Sequence, residues 1–161
     1  MTQIDIHREL VALLESNNAS FRIVQHEKEG RSHKISRIRG NKPSQAMKAL
    51  VLSLKVGSKG KQNVLAVIPG NLQLNMKAVC KLIGAKKGSF ASTQRTFELT
   101  NCVTGAIPPF SFHNELKLIV DRKCENNEEI VFNAGRLDRS IFMKFSDYKN
   151  ISGAIFNNFA I

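Results

Sequence analysis

Three short segments hold the residue types from which a chemical site could be built. The first, Gln45-Ala46-Met47-Lys48-Ala49-Leu50-Val51-Leu52, places a lysine at the mouth of an apolar strand. Most lysines are merely solvated. One whose backbone is anchored against a core can instead aim its ammonium into a cleft, to hold a phosphate, a carbonyl oxygen or a developing oxyanion. The second, Gly105-Ala106-Ile107-Pro108-Pro109-Phe110, is a stiff loop. Its glycine permits a positive φ or a close ligand approach, and its prolines freeze φ and remove donors. The N–H groups left over, at Gly105, Ala106 and Ile107, are candidate donors to an oxyanion or hydroxyl. The plain alternative is an ordinary loop entering a strand. The third, Asn133-Ala134-Gly135-Arg136-Leu137-Asp138-Arg139-Ser140-Ile141, is a polar turn between apolar runs, with Gly135 at the expected tight turn. Arg136, Asp138 and Arg139 can form an exposed ion pair of little worth. Alternatively, Asn133, Asp138 and Ser140 line a pocket.

Other chemistries lack support. There is no P-loop, no strand-linked dinucleotide glycine pattern, no His-Glu-x-x-His and no Gly-x-Ser-x-Gly. Cys80, Cys102 and Cys124 are too scattered for a disulfide framework or a zinc site. Cys102, near the proline loop, could be a reactive thiol, but a reduced structural cysteine is expected. His7, His26 and His33 have no partners at metal-ligand spacing, so no metal is expected.

The elements that must position these segments follow from periodicity. Ile6, Leu10, Leu13 and Leu14 share a face of a helix over residues 5–16, with Asp5 as its N-cap. Phe21–His26 alternates as a strand. Residues 27–42 read mostly as basic loop, with a short helix around Ser32–Ile38. Lys48–Val56 and Gln62–Ile68 are apolar strands joined by the basic turn Gly57-Ser58-Lys59-Gly60-Lys61. Asn75–Ile83 is a helix closed by Gly84. Ser92–Leu99 is another, capped by Ser92. Leu116–Asp121, Ile130–Asn133 and Ser140–Phe145 are strands, and Ser146–Ile151 is a last helix capped by Ser146. The order predicts one α/β domain over residues 1–161 with a mixed, mostly antiparallel sheet, too irregular for a doubly wound parallel fold. A chain of 161 residues buries roughly two-thirds of its unfolded surface and needs no staples.

Charge narrows the partner. Twenty-four Lys and Arg against 13 Asp and Glu leave a net charge of +11. The excess is uneven. Arg22, Lys28, Arg31, Lys34, Arg37, Arg39, Lys42 and Lys48 crowd one stretch opposed only by Glu27 and Glu29. That favours a polyanion, nucleic acid or nucleotide, over a simple solubility charge. One Tyr and no Trp argue against a single-strand stacking platform. No window is apolar enough to span a membrane, and Met1–His7 lacks a signal-peptide profile, so a soluble cytoplasmic protein is expected.

In this order and spacing, the three segments resemble the YbaK/prolyl-tRNA-synthetase-associated editing domain family, whose members hydrolyse wrongly charged aminoacyl-tRNA. The similarity runs from about Asp5 to Ile151. It includes Phe21-Arg22-Ile23-Val24, Val64-Leu65-Ala66-Val67-Ile68-Pro69 and the approach Glu98-Leu99-Thr100-Asn101-Cys102-Val103-Thr104-Gly105. It is nearer to the stand-alone, prolyl-editing-like branch than to the YbaK branch, whose glycine-rich loop is missing. Asn101 stands where glycine is common. The resemblance implies a compact α/β fold with a partly barrel-like sheet and no cofactor. It implies Lys48 and the Gly105-Ala106-Ile107 backbone as catalytic groups. Pro108, His113, Asn133, Gly135, Asp138 and Ser140 would lie about the aminoacyl site. The implied partner is the tRNA acceptor end, with room for transient contact with a synthetase; the basic stretch 28–42, with Arg31, Lys34, Arg37, Arg39 and Lys42, together with Lys55, Lys59 and Lys61, supplies candidate contacts to its backbone. The implied substrate is the ester of a small amino acid, Ala, Ser or Thr. The rival reading is a module that binds RNA or a nucleotide without hydrolysing anything.

Overall fold

The computed structural model describes residues 4–161; residues 1–3, part of the stretch read above for a leader, lie outside the described residues, as does the side chain of Lys59. Helix α1 (Ile6–Ser16) starts where Asp5 accepts a hydrogen bond from the Arg8 N–H, and it buries Ile6, Leu10 and Leu14. The strands are β1 (Phe21–Gln25), β2 (Met47–Lys55), β3 (Lys61–Pro69), β4 (Lys87–Phe90), β5 (Leu116–Asp121), β6 (Glu129–Arg136), β7 (Arg139–Lys144) and β8 (Ile155–Asn157). The remaining helices are α2 (Ser32–Arg39), α3 (Met76–Ile83), α4 (Thr93–Thr100) and α5 (Phe145–Ser152). Asn75 and Ser92 cap α3 and α4, each accepting a backbone N–H three residues on.

The strands form the expected mixed α/β domain and are divided between two sheets. The smaller has the order β1-β7-β6 and is antiparallel. The larger has the order β4-β2-β3-β5-β8, with β2 antiparallel to β3 and β4, and with β3, β5 and β8 parallel. A single parallel bridge, Ala46 to Val131, joins them. Between the sheets lies the main core, where Met47, Val51, Leu65 and Val67 meet Phe132, Ile141 and Tyr148. On the outer face of the larger sheet, Leu52, Leu54, Val64, Ala66 and Ile68 pack under α3 with Val79. Strand β3 is covered on both faces, which is why it reads as an unbroken apolar run.

Two local expectations are corrected. Helix α5 begins at Phe145, with Lys144 at its cap and no side chain bonding the first turn; Ser146 lies inside the helix. The tight turn of the third segment is Leu137-Asp138, not Gly135. Gly135 instead sits at an irregularity of β6 between Asn133 and Arg136, with φ +81°. A Cβ there would lie 2.8 Å from the His7 backbone N. The bulge and α1 are thus in backbone contact, reinforced by His7 Nδ1 lying 2.7 Å from the Ala134 carbonyl oxygen.

One feature of β2 positions the site. It pairs with β3 along its whole length, but β4 covers only Leu52–Lys55. The carbonyls of Val51 and Lys55 accept from Ala91 and Lys86 on the β4 side. By alternation, Ala49 turns its N–H and C=O to the same edge, where no strand lies opposite.

Gly135→Ala should destabilise the fold by about 2 kcal/mol, since alanine must adopt a left-handed φ and displace α1. Urea unfolding checks this; a variant as stable as the parent would show that α1 can move away freely.

Candidate active site

A cavity of about 130 Å³ opens against the bare stretch of β2. Its walls are Met47, Lys48 and Ala49 of β2, Ser32, Ile35 and Arg39 of α2, Thr104, Gly105 and Ile107 of the proline loop, and Phe132 and Asn133 of β6. The three sequence segments therefore converge on one hollow. Lys48 is the second residue of β2, just after a 3-10 turn over Pro43–Gln45. It is half-buried, its Nζ donates to the Leu72 carbonyl at 3.2 Å, and burial lowers the pKa of its ammonium.

The proline loop owes its shape to a turn. The Ala106 N–H donates to the Val103 carbonyl at 3.0 Å, and Gly105 has φ +90°, the backbone that the third position of a type II turn requires. A Cβ on Gly105 would lie 2.8 Å from the Gly30 Cα, so two glycines let two loops touch backbone to backbone. From beneath, the Tyr148 hydroxyl donates to the Pro109 carbonyl at 2.7 Å, and Phe110 packs edge-on to Phe132 and Tyr148. The turn engages the Ala106 N–H, so Ala106 is not a free donor. Among the described residues, the N–H groups of Gly105 and Ile107 have no backbone acceptor outside regular elements. Pro108 is buried and faces a separate small hollow with Ile6 and Leu99.

Asn133 ties the walls together. Its amide donates to the Glu29 carbonyl at 3.0 Å and to the Gly105 carbonyl at 2.8 Å. Its Oδ1 accepts from Arg39 Nη1 at 3.3 Å, and Ser140 Oγ lies 3.0 Å away. Ser140 is fully buried behind Asn133, accepts from Arg39 at 3.1 Å and lies 2.7 Å from His26 Nε2. Among the described residues, Arg39 is held only by neutral oxygens, those of Asn41, Asn133 and Ser140, and burial pushes its pKa down to about 10. No acidic side chain among the described residues lines the cavity.

The other sequence candidates lie elsewhere. Asp138 sits in the surface hairpin, where the adjacent Arg136 guanidinium holds its carboxyl below the usual range, and it also pairs with Arg139. His113 is away from the cavity beside Glu115. Gly135 shapes the bulge and does not line the hollow. Arg31 is engaged by Glu29, whose carboxyl it holds down at about 2. Lys34, Arg37 and Lys42 are exposed and, among the described residues, form no ion pair. Sequence reasoning missed the His26–Ser140 contact, which spans 114 positions, and the wall residues Ile35 and Phe132. None of these carries a local signal.

A family model, the aminoacyl-tRNA editing domain, matches residues 26–151, and the chain belongs to that family. Members are aminoacyl-tRNA editing hydrolases, and the chain is an enzyme of that class. It is 44% identical over 154 residues to the multifunctional Ser/Thr-tRNA deacylase ProXp-y of Escherichia coli strain K12, covering 95% of this chain and 92% of that one. It is 21% identical over 160 residues to the prolyl-tRNA editing protein ProX of Acetoanaerobium sticklandii, covering 97% and 96%. The fold superposes on the crystal structure of a candidate trans-editing enzyme for prolyl tRNA synthetase with a TM-score of 0.81 at 20% identity, covering 99% of both chains.

The cysteines take no part in the cavity. Cys102 and Cys124 are buried; burial pushes the Cys102 thiol up to about 12 and raises that of Cys124 as well. Thiolate is therefore scarce at neutral pH. In the folded protein at pH 8, iodoacetamide should leave both unmodified, while denaturation should expose them. Mass spectrometry of tryptic peptides reads this; fast native alkylation of Cys102 would restore a thiol to consideration.

Proposed function

We propose that this chain is a free-standing trans-editing deacylase of the cytoplasm that cleaves the ester of a small amino acid, serine or threonine foremost, from wrongly charged tRNA. The observation that carries the reading is one small cavity in which Lys48, Arg39 and the Gly105 turn meet with no carboxylate, thiol or imidazole among the lining residues. A site so equipped suits an anion that forms during reaction. The similarity to a Ser/Thr-tRNA deacylase over nearly the whole chain points to the same class of ester.

An aminoacyl ester is already activated, so hydrolysis needs a placed water, a placed carbonyl and donors for the oxyanion. The N–H groups of Gly105 and Ile107 are the donors, each worth roughly 10²–10³-fold in rate. Lys48 adds a positive charge at the end of a fixed strand. Arg39, desolvated and without an acidic partner, takes the last phosphate of the tRNA. With no side-chain base in the lining, a ribose hydroxyl of the substrate takes the proton of the attacking water and passes it to the departing ribose oxygen as the ester C–O bond breaks. Holding these parts in register supplies much of the remaining barrier reduction. The editing logic is steric: a synthetase pocket separates near-isosteric amino acids by only ~10²-fold, and a second, smaller pocket removes the error. Lys34, Arg37 and Lys42 contact the RNA backbone without reading sequence.

The test is deacylation of Ala-, Ser-, Thr-, Cys- and Pro-tRNA by the parent protein beside Lys48→Ala. Release of Ser and Thr should fall at least ~10²-fold in the variant, with tRNA affinity changed only a few-fold. No release from any of them, with tRNA still bound, would sink the enzyme reading and leave an RNA-binding module.

The pH profile gives a second check. The ammonium of Lys48 is the form that acts, and burial lowers its pKa. The enzyme-catalysed rate, corrected for spontaneous hydrolysis, should therefore fall on the alkaline side at a pH below the range where ordinary lysines titrate. A rate flat through that range would dissociate catalysis from the ammonium.

A further inference from the structure

The strand register brings together a charge arrangement that the cavity does not use. Lys55 on β2 lies directly opposite Lys61 on β3 and opposite Lys87 on β4. Cross-strand partners share a face of the sheet, so three exposed lysines stand in one row across three strands. Like charges directly opposite repel, and sheets ordinarily avoid the pairing. None of the three forms an ion pair among the described residues.

The row two residues further in, on the same face, is Ser89, Ser53 and Asn63. Asn63 is polar and buried in a stretch of β3 that is otherwise apolar. Its Nδ2 donates to the Leu52 carbonyl at 3.2 Å, and its Oδ1 accepts from Arg95 Nε and Nη2 at 3.3 and 3.1 Å. A buried amide thus fixes an arginine from α4 at the rim of the lysine row. Glu98 and Glu115 reach this arginine, at 3.2 and 4.0 Å, and neither pairs with a lysine of the row. Lys61, Asn63, Ser89 and Arg95 line an open hollow of about 450 Å³.

We propose that this end of the larger sheet is a second, non-catalytic site for the phosphodiester backbone of RNA. Lys55, Lys61 and Lys87 neutralise successive phosphates, and Arg95 is held as a further contact. A polyanion lying across the row relieves the repulsion within it, and the serine hydroxyls beside it suit phosphate oxygens. The site stands seven residues along β2 from Lys48, about 23 Å at the rise of an extended strand, so the acceptor arm that places its ester in the cavity passes within reach of the row. The inference rests on the reading of tRNA as substrate and adds where its body is held.

The experiment compares the parent protein with the triple variant Lys55→Gln, Lys61→Gln, Lys87→Gln on two substrates, seryl-tRNA and the seryl ester of a short CCA oligonucleotide. Binding of uncharged tRNA is measured across a salt series. The expected result is a KM for seryl-tRNA raised about 10-fold or more at low salt with kcat within two-fold. The oligonucleotide ester should be cleaved as before, and the slope of log affinity against log salt should shrink by about 2–3, as for three lost phosphate contacts. A triple variant with parental KM and salt slope would overturn the proposal and assign the row to another partner, such as an acidic protein face. Equal loss on both substrates would also overturn it, by showing that the row acts through the fold. If the parent cleaves neither ester while the triple variant still binds uncharged tRNA more weakly with a shallower slope, the deacylase reading fails and the RNA site stands.

Discussion

Asn133 projects from the smaller sheet and delivers both hydrogens of its amide to carbonyls on two different loops, Glu29 and Gly105. Each of those loops is irregular, and they meet backbone to backbone at Gly30 and Gly105. The two glycines at their contact leave no side chain to interlock. The amide bonds both loops where they meet, and its own orientation is set by Arg39 and Ser140 on the oxygen side. Such a network is stiff because every polar member has a partner, and no buried side-chain N or O atom among the described residues lacks one.

The electrostatics of the cavity follow from the same network. A buried guanidinium is ordinarily matched by a carboxylate. Here it is matched by an amide oxygen, a hydroxyl and a second amide, which satisfy its hydrogen bonds without cancelling its charge. The positive potential is preserved for whatever enters. Glu29, the nearest acid in sequence on the adjoining loop, is committed to Arg31 instead.

Most of the regular structure was legible from the sequence because burial in this chain follows simple periods. α1 shows its apolar stripe, β3 its unbroken run, and Asn75 and Ser92 their capping positions. β4 and β8 were not legible. Lys87-Gly88-Ser89-Phe90 has no alternation, and only its pairing with β2 makes it a strand. Ile155–Asn157 is three residues docked in parallel on β5. The division into two sheets was equally hidden, since it depends on where strand ends meet. At the site, Lys48, Gly105 and Asn133 could be picked out because each is an odd residue in a patterned context. The placement of Ser140 behind Asn133, of Ala106 within a turn and of Asp138 out on the hairpin depends on hydrogen bonds between distant segments. Arg39 was legible as a basic residue but not as an inward one. Its neighbours Arg37 and Lys34 have the same chemistry and differ only in which side of α2 they occupy.

The bare edge of β2 has a consequence for how such a site can change over time. What Ala49 presents at that edge is main chain, identical for every residue type but proline. Substitution can widen or narrow the hollow through Ile35, Phe132 or Ile107, and so alter what fits. It cannot erase the peptide group at the back wall. Selectivity here is adjustable residue by residue, whereas the surface against which it is measured is inherited from the strand pairing itself and would be lost only if β4 grew longer.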